Sequence, residues 1–267
     1  ILDKGCGMNY TVKKIKKLKN SLYEIDLEKK QIVLYEEIVI KYDLLLKKTI
    51  SDYILKKIVI ANKKVECYQK SLNFLEKKKK TEYEVETYLK EENFDEETIK
   101  ETIERLRSLK LVDDLDYAKR YINYVVSYRL TGPRKIRKTL LTHGISEDLS
   151  NSILTKYEDE VWYDKIRTII NKKLVKDKRR SNLEFRQNMI AELVYYGYPK
   201  IYVVHVLEDM DTNHDKEAIK NQFEFLYKKY ARKYEGYELK FRLKRRLSED
   251  GFNYGNIKEV MDDFFGE

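Results

Sequence analysis

Proline is almost absent from these 267 residues. There are 2, and glycine adds only 9. So few breakers favour long regular elements over many tight turns. Cysteine is as scarce, with only Cys6 and Cys67. These two have no metal-type spacing to each other or to a histidine, and a reduced, cytoplasmic compartment fits best. Cys67 reads as an ordinary buried thiol on a helix. No apolar run approaches the roughly 20 residues that span a bilayer, so no membrane segment is expected. The N-terminus lacks the apolar stretch of a secretory signal. Met8 reads as a plausible native start, and Ile1–Gly7 are set aside from the fold argument.

Catalytic signatures are missing too. There is no phosphate-binding G-x-x-x-x-G-K-[ST], no glycine-rich dinucleotide turn and no nucleophile elbow. The three histidines, His143, His205 and His214, are scattered, and no two are four residues apart. That excludes a helical metal pair. Asp113 and Asp114 are explained more simply by helix capping than by acid–base work. The expectation is a binding protein with no cofactor, metal or active site.

Charge is plentiful. The net charge is +9, and charged residues make up 38%. It is unevenly placed, at +10 over residues 1–80, −5 over 81–160 and +4 over 161–267. A basic chain with local acidic faces suits a polyanionic partner. A lysine-rich surface in an organism with an AT-rich genome would look the same. The 23 tyrosines supply much of the apolar area, so the chain is no disordered polymer.

Residues Leu22–Leu27 alternate in hydropathy, as do parts of Gln31–Tyr35. Glu28, Lys29 and Lys30 lie between them. This predicts a β-hairpin. From Ile50 the period becomes helical through Ile54, Leu55, Ile58, Val59, Val65, Tyr68, Leu72 and Leu75. A break is expected near Ala61-Asn62, and an end in Lys77–Lys80, where lysines complement the helix dipole. Thr81 and Glu84 then form a capping box. The helix they start stops near Asn93, and Asp95 caps the next.

The same pattern returns. A residue tolerant of the left-handed conformation precedes an apolar one at Asn93-Phe94, Gly144-Ile145, Gly197-Tyr198 and Gly251-Phe252, with spacings of 51, 53 and 54 residues. A leucine lies four residues before each turn residue, at Leu89, Leu140, Leu193 and Leu247. Four coincident copies at nearly constant period point to an internal repeat. Each copy reads as a three-helix unit that buries apolar area partly against itself and partly against a neighbour. The fold class expected is mainly α. Tandem, helix-turn-helix-like three-helix repeats form an elongated curved array, with a small N-terminal β-hairpin extension. The segments are an extension over 8–60 and repeats over 61–112, 113–157, 158–211 and 212–267.

Leu111–Ile145 is the most specific stretch. Asp113 and Asp114 start a helix whose face holds Tyr117, Ala118, Tyr121 and Val125. Gly132-Pro133 makes a turn, with Pro133 suited to a first helical position. Arg134, Lys135, Arg137 and Lys138 follow, while Ile136 and Leu140 point the other way. No acidic residue occurs between Tyr117 and Ile145.

The pattern Leu-Val-Asp-Asp-x-x-Tyr-Ala-x-Arg-Tyr, then Gly-Pro-Arg-Lys-Ile-x-x-x-Leu, then Gly-Ile, resembles the RecX regulatory proteins of bacteria. The close match spans about 35 residues, and the repeat pattern extends it over Lys63–Phe265. The resemblance implies an extended monomer that binds the RecA recombinase filament. It also implies binding to single- and double-stranded DNA, more weakly and through charge. RecA's ATPase, strand exchange and co-protease activity would be restrained, in DNA repair and the SOS response. The chain departs from compact members, with four repeat copies where three are expected and a strand-like N-terminal extension. Such long forms look typical of low-GC Gram-positive bacteria.

Three basic groups are candidate contacts with DNA phosphates or acidic RecA side chains. The first is Arg134, Lys135, Arg137 and Lys138, with Arg120 and Arg129 on the preceding helix. The second is Lys172, Lys173, Lys176, Lys178, Arg179 and Arg180, and the third is Lys240, Arg242, Lys244, Arg245 and Arg246. Each is equally readable as a plain solvated face. Tyrosines lie close to all three; most read as packing, though some are candidates to stack on exposed bases. The alternative function is a general DNA-binding or architectural protein that acts without RecA.

Overall fold

The computed structural model describes residues 9–266. Two compact units divide between Tyr117 and Ala118. The expectations for Ile1–Gly7, Met8 and Cys6 lie outside the described residues. No helix among the described residues is long and apolar enough to cross a membrane.

The first unit opens with β1 (Asn9–Lys17), β2 (Leu22–Leu27) and β3 (Lys30–Tyr35). Then come α1 (Glu36–Lys41), β4 (Thr49–Ser51), α2 (Asp52–Glu76), α3 (Glu82–Glu91) and α4 (Glu96–Ser108). The expected hairpin is β2–β3, with Ile25 opposite Ile32. It is part of a four-stranded antiparallel sheet ordered β3-β2-β1-β4. Two strands escaped the sequence reading for physical reasons. β1 is irregular between Val12 and Lys14, which breaks its two-residue alternation, and β4 has only three residues. Ile25, Leu27 and Leu34 of the sheet bury with Ile38, Val39, Leu44 and Ile50, and Leu55 and Ile58 of α2 close that core.

The expected break at Ala61-Asn62 is absent, and α2 runs 25 residues without interruption. The Asn62 side chain does not compete for its own helix backbone. It turns to the strand instead, where Oδ1 accepts from Tyr35 N at 2.9 Å and Nδ2 donates to Val33 O at 3.3 Å. Part of the β3 edge is thereby closed. Further along α2, Cys67 enters a second core with Val85, Leu89, Ile99, Ile103 and Leu106. Burial raises the pKa of its thiol.

The remaining helices are α5 (Asp114–Tyr128), α6 (Pro133–Thr142), α7 (Glu147–Leu154), α8 (Asp159–Leu174) and α9 (Asn182–Tyr195). After them come α10 (Lys200–Asp209), α11 (Asp215–Tyr230), α12 (Gly236–Glu249) and α13 (Tyr254–Phe265). They fall into threes, α2–α4, α5–α7, α8–α10 and α11–α13.

The repeat signature has a clear structural cause. Asn93, Gly144, Gly197 and Gly251 all have positive φ, at 62°, 78°, 93° and 88°. At each site the following amide donates back to the signature leucine. Phe94 bonds Leu89, Ile145 bonds Leu140, Tyr198 bonds Leu193, and Phe252 bonds Leu247. The turn residue's own amide bonds the carbonyl one position further on, at Lys90, Leu141, Val194 and Ser248. This is the Schellman helix end, including the apolar contact that accompanies it. The four leucines are fully buried, as are their four apolar partners or nearly so. One helix-ending device therefore sets the middle helix of every unit against the third.

Candidate partner and nucleic-acid interface

Within the second unit, neighbouring repeats meet at helix starts. Gly132, the N-cap of α6, donates its amide to Tyr196 O at 2.9 Å, and Arg134 N donates to Gly197 O at 3.0 Å. A Cβ on Gly132 would lie 2.3 Å from the Gly197 carbonyl carbon, and one on Gly197 would lie 2.5 Å from Lys135 N. Only two glycines allow this approach. Ser181, the N-cap of α9, plays a comparable part against Gly251 and donates to Asp250 O at 2.6 Å. Each joint places a basic segment beside the next repeat's turn.

The first basic group rides on the Gly132–Gly197 joint. Ile136 and Leu140 are fully buried, while Arg134, Lys135 and Lys138 are exposed. Arg137 differs, being half-buried and donating to Asn151 Oδ1 at 2.9 Å. It ties α6 to α7 and is the least available of the four. Lys135 Nζ lies over the rings of Tyr195 and Tyr196, 5.2 and 5.9 Å from their centroids. Tyr195 is 77% exposed. An open groove of about 480 Å³ runs between Arg134, Lys135 and Lys138 on one side and Tyr195 on the other. Arg120 of α5 is exposed, and Arg129, just past the end of α5, donates to the Tyr124 hydroxyl at 3.0 Å. The Arg129 carbonyl accepts from Lys165 Nζ at 2.8 Å, and burial lowers that amine's pKa.

The second group surrounds an open cleft of about 840 Å³. Lys173, Lys176, Lys178, Arg179 and Arg180 line it, beside the buried Phe185 and Met189. Several of these cations are already matched. Lys173 pairs with Glu192 at 2.7 Å, and Arg180 pairs with Asp177 at 3.1 Å. Arg179 sits 4.6 Å over the Phe225 ring. Lys172 lines a neighbouring groove with Leu130 and Tyr196.

The third group lies on α12 and is split by pairing. Arg242 pairs with Glu238 at 2.8 Å, Arg245 with Glu249 at 2.9 Å and Arg246 with Asp250 at 2.8 Å. The Glu238 hydrogen bond raises the pKa of Arg242. Lys240 and Lys244 lie on another side, 4.7 Å over the rings of Phe265 and Tyr254 respectively. Every basic group thus has aromatic neighbours. Some tyrosines are core, as Tyr198 is, and others stand in solvent, as Tyr195 and Tyr237 do. Among the described residues, no group of three or more His, Cys, Asp or Glu is placed to hold a metal.

Comparison with known proteins bears on this arrangement. The family model described as RecX, first three-helix domain, matches residues 67–106. A regulatory protein RecX of Oceanobacillus iheyensis is 29% identical over 200 residues, covering 73% of this chain and 74% of its own. One from Lactococcus lactis subsp. cremoris is 28% identical over 263 residues, covering 94% and 96%. The chain is similar to RecX regulatory proteins, in one three-helix unit by the family model and over most of its length by these relatives. A crystal structure of regulatory protein RecX has the same fold, with TM-score 0.62 and 24% identity, covering 75% of this chain and 100% of that one. A RecX from Lactobacillus salivarius superimposes with TM-score 0.54 at 24% identity, over 56% of this chain and 97% of its own.

The family model falls on α2–α4, whereas the motif that carried the resemblance lies on α5 and α6. The motif's Gly-Pro serves the Gly132–Gly197 joint, and its Asp113 caps α5 by accepting from Asp116 N at 2.8 Å. Sequence reasoning placed tyrosines near all three basic groups but did not single out which rings stand exposed, namely Tyr195, Tyr237 and Phe241. In α12, Leu239, Leu243 and Leu247 already supply the buried stripe, and that surplus of apolar positions was the available signal.

Proposed function

We propose that this chain is a regulatory protein that binds the RecA recombinase and its filament on DNA. It restrains ATP hydrolysis, strand exchange and co-protease activity in DNA repair and the SOS response. Similarity to RecX regulatory proteins carries this reading. The chain works by binding, as a monomer in the cytoplasm, and turns nothing over itself. Its repeats are 61–112, 113–157, 158–211 and 212–267, following an extension over 8–60. The contact residues are drawn from the three basic groups. Arg134, Lys135 and Lys138 lead, since they are exposed on one face of a helix whose other face is fully buried. Arg120, Arg129, Lys172, Lys173, Arg179 and Arg180 extend that surface, and Arg242, Lys244, Arg245 and Arg246 end it.

The test is the ATPase of cognate RecA on single-stranded DNA, titrated with this protein and with a variant carrying Arg134→Ala, Lys135→Ala and Lys138→Ala. Inhibition by the wild type at substoichiometric amounts, lost in the variant, supports the reading. Full RecA activity at stoichiometric protein that still binds DNA sinks it, and leaves an architectural DNA-binding protein.

A further inference from the structure

The last repeat carries an aromatic stripe that its own folding does not use. Leu239, Leu243 and Leu247 of α12 fill the core with Phe223, Leu226, Phe252 and Ile257. Arg242, Arg245 and Arg246 are held by carboxylates on the same helix or at its end. A third strip of α12 is Tyr237, Lys240, Phe241 and Lys244, spaced i, i+3, i+4 and i+7. That spacing lines one face of a helix. Tyr237 is 84% exposed and Phe241 is 53% exposed. Their rings are close to parallel, 18° apart, with centroids 6.4 Å from each other. Across an open groove of about 620 Å³, α13 presents Ile257, Lys258 and Met261. Tyr254, 65% exposed, stands at the start of α13 with Lys244 Nζ over its ring. Lys244 and Lys258 have no carboxylate partner among the described residues, and Asp262 is the one acid lining the groove.

We propose that the α12–α13 groove binds single-stranded nucleic acid, with unstacked bases lying on Tyr237 and Phe241 and phosphates held by Lys240, Lys244 and Lys258. Two features choose this occupant. The exposed apolar area of α12 is ring face, which accepts any base because every base has a π-face. The rim charge is positive on both helices, which complements a phosphate chain. A groove for an amphipathic protein helix would show aliphatic anchors at these positions. Here the aliphatic residues of α12 are all turned to the core. Duplex DNA keeps its bases stacked inside, so it gains only the lysine contacts. The inference does not rest on RecA, and its test contains none.

The experiment measures binding of the full chain to a labelled oligothymidine, to an abasic strand of equal length and to a duplex, by anisotropy near physiological salt. The wild type should prefer the base-bearing strand to the abasic one by about tenfold or more, given the stacking contribution per base. Tyr237→Leu with Phe241→Leu keeps apolar bulk and removes the rings, and should abolish that preference. Lys244→Gln with Lys258→Gln should weaken the base-bearing and abasic strands alike. An unchanged helical circular dichroism signal checks that each variant is folded. Equal affinity of the wild type for the base-bearing and abasic strands overturns the proposal. So does a leucine variant that keeps the preference, or an acidic aromatic peptide that occupies the groove while oligothymidine does not.

Discussion

The amide of Gly132 meets the carbonyl of Tyr196, and a side chain on Gly132 would collide with the backbone of Gly197. Two repeats are joined backbone to backbone, with no side chain between them. The residue before the basic α6 and the residue that ends α9 are therefore both glycine, for one shared reason. Gly132→Ala should destabilise the second unit by about 1–3 kcal/mol through overpacking. Gly197→Ala should cost more, since it adds a left-handed alanine to the same clash. Because they share one joint, the double variant should fall short of the sum. Urea unfolding followed by Trp162, the single tryptophan and buried in α8, reads this directly. Single variants as stable as wild type would mean that the joint relaxes at no cost.

The end of α4 uses the same device with neither glycine nor asparagine. Lys110 has φ 54°, and Leu111 N donates to Leu106 O at the end of α4. An exposed lysine there bears the left-handed penalty with no side-chain hydrogen bond or ion pair in return among the described residues. Lys110→Gly should stabilise the chain by about 0.5–1 kcal/mol. A drop in the midpoint of thermal unfolding would contradict it. This end also went unread in the sequence, because lysine gives no signal of a left-handed turn.

Asp95 accepts from Thr98 N at 2.9 Å at the start of α4. That bond, helped by Lys63, holds its carboxyl at about 2, below the ordinary 3.8. The folded value is depressed, so the stabilisation is full above pH 3.8 and fades as pH falls toward 2. Asp95→Ala should therefore lower stability by a constant amount between about pH 7 and pH 5, with the difference shrinking below about pH 4. A penalty that holds its full size down to about pH 3 would show that capping, without the charge, is the whole effect.

The helical repeats were legible because one local device, the Schellman end, recurs in all four with a leucine and then a glycine or asparagine. Leu-x-x-x-Gly-apolar is visible without any knowledge of tertiary structure, and so is the Thr81–Glu84 capping box. The extension was less legible. A bulge hid β1, and the continuity of α2 depends on Asn62 reaching β3, a partner 27 residues away in sequence. For the candidate surface, the basic residues could be counted, but their pairing could not. Arg137 looks like Arg134 in sequence until Asn151 is found beside it. The arginines of α12 look like those of α6 until their carboxylate partners are placed.

That pairing makes the three basic groups unequal toward a polyanion. Arg134, Lys135 and Lys138 have no ion-pair partner among the described residues, while Arg242 and Arg245 each have one and Arg246 has two. A cation that must first leave a carboxylate gains less from a phosphate. Alanine at Arg134, Lys135 and Lys138 should reduce the slope of log affinity against log salt by about 0.7–0.9 for each phosphate that is no longer neutralised. The same treatment of Arg242, Arg245 and Arg246 should change the slope less. It frees Glu238, Glu249 and Asp250, so affinity itself should fall through repulsion. Anisotropy titrations on one duplex at several salt concentrations separate slope from intercept. An equal reduction of slope in the two triple variants would mean that the ion pairs of α12 open at no cost on binding, and that all three groups share one phosphate track.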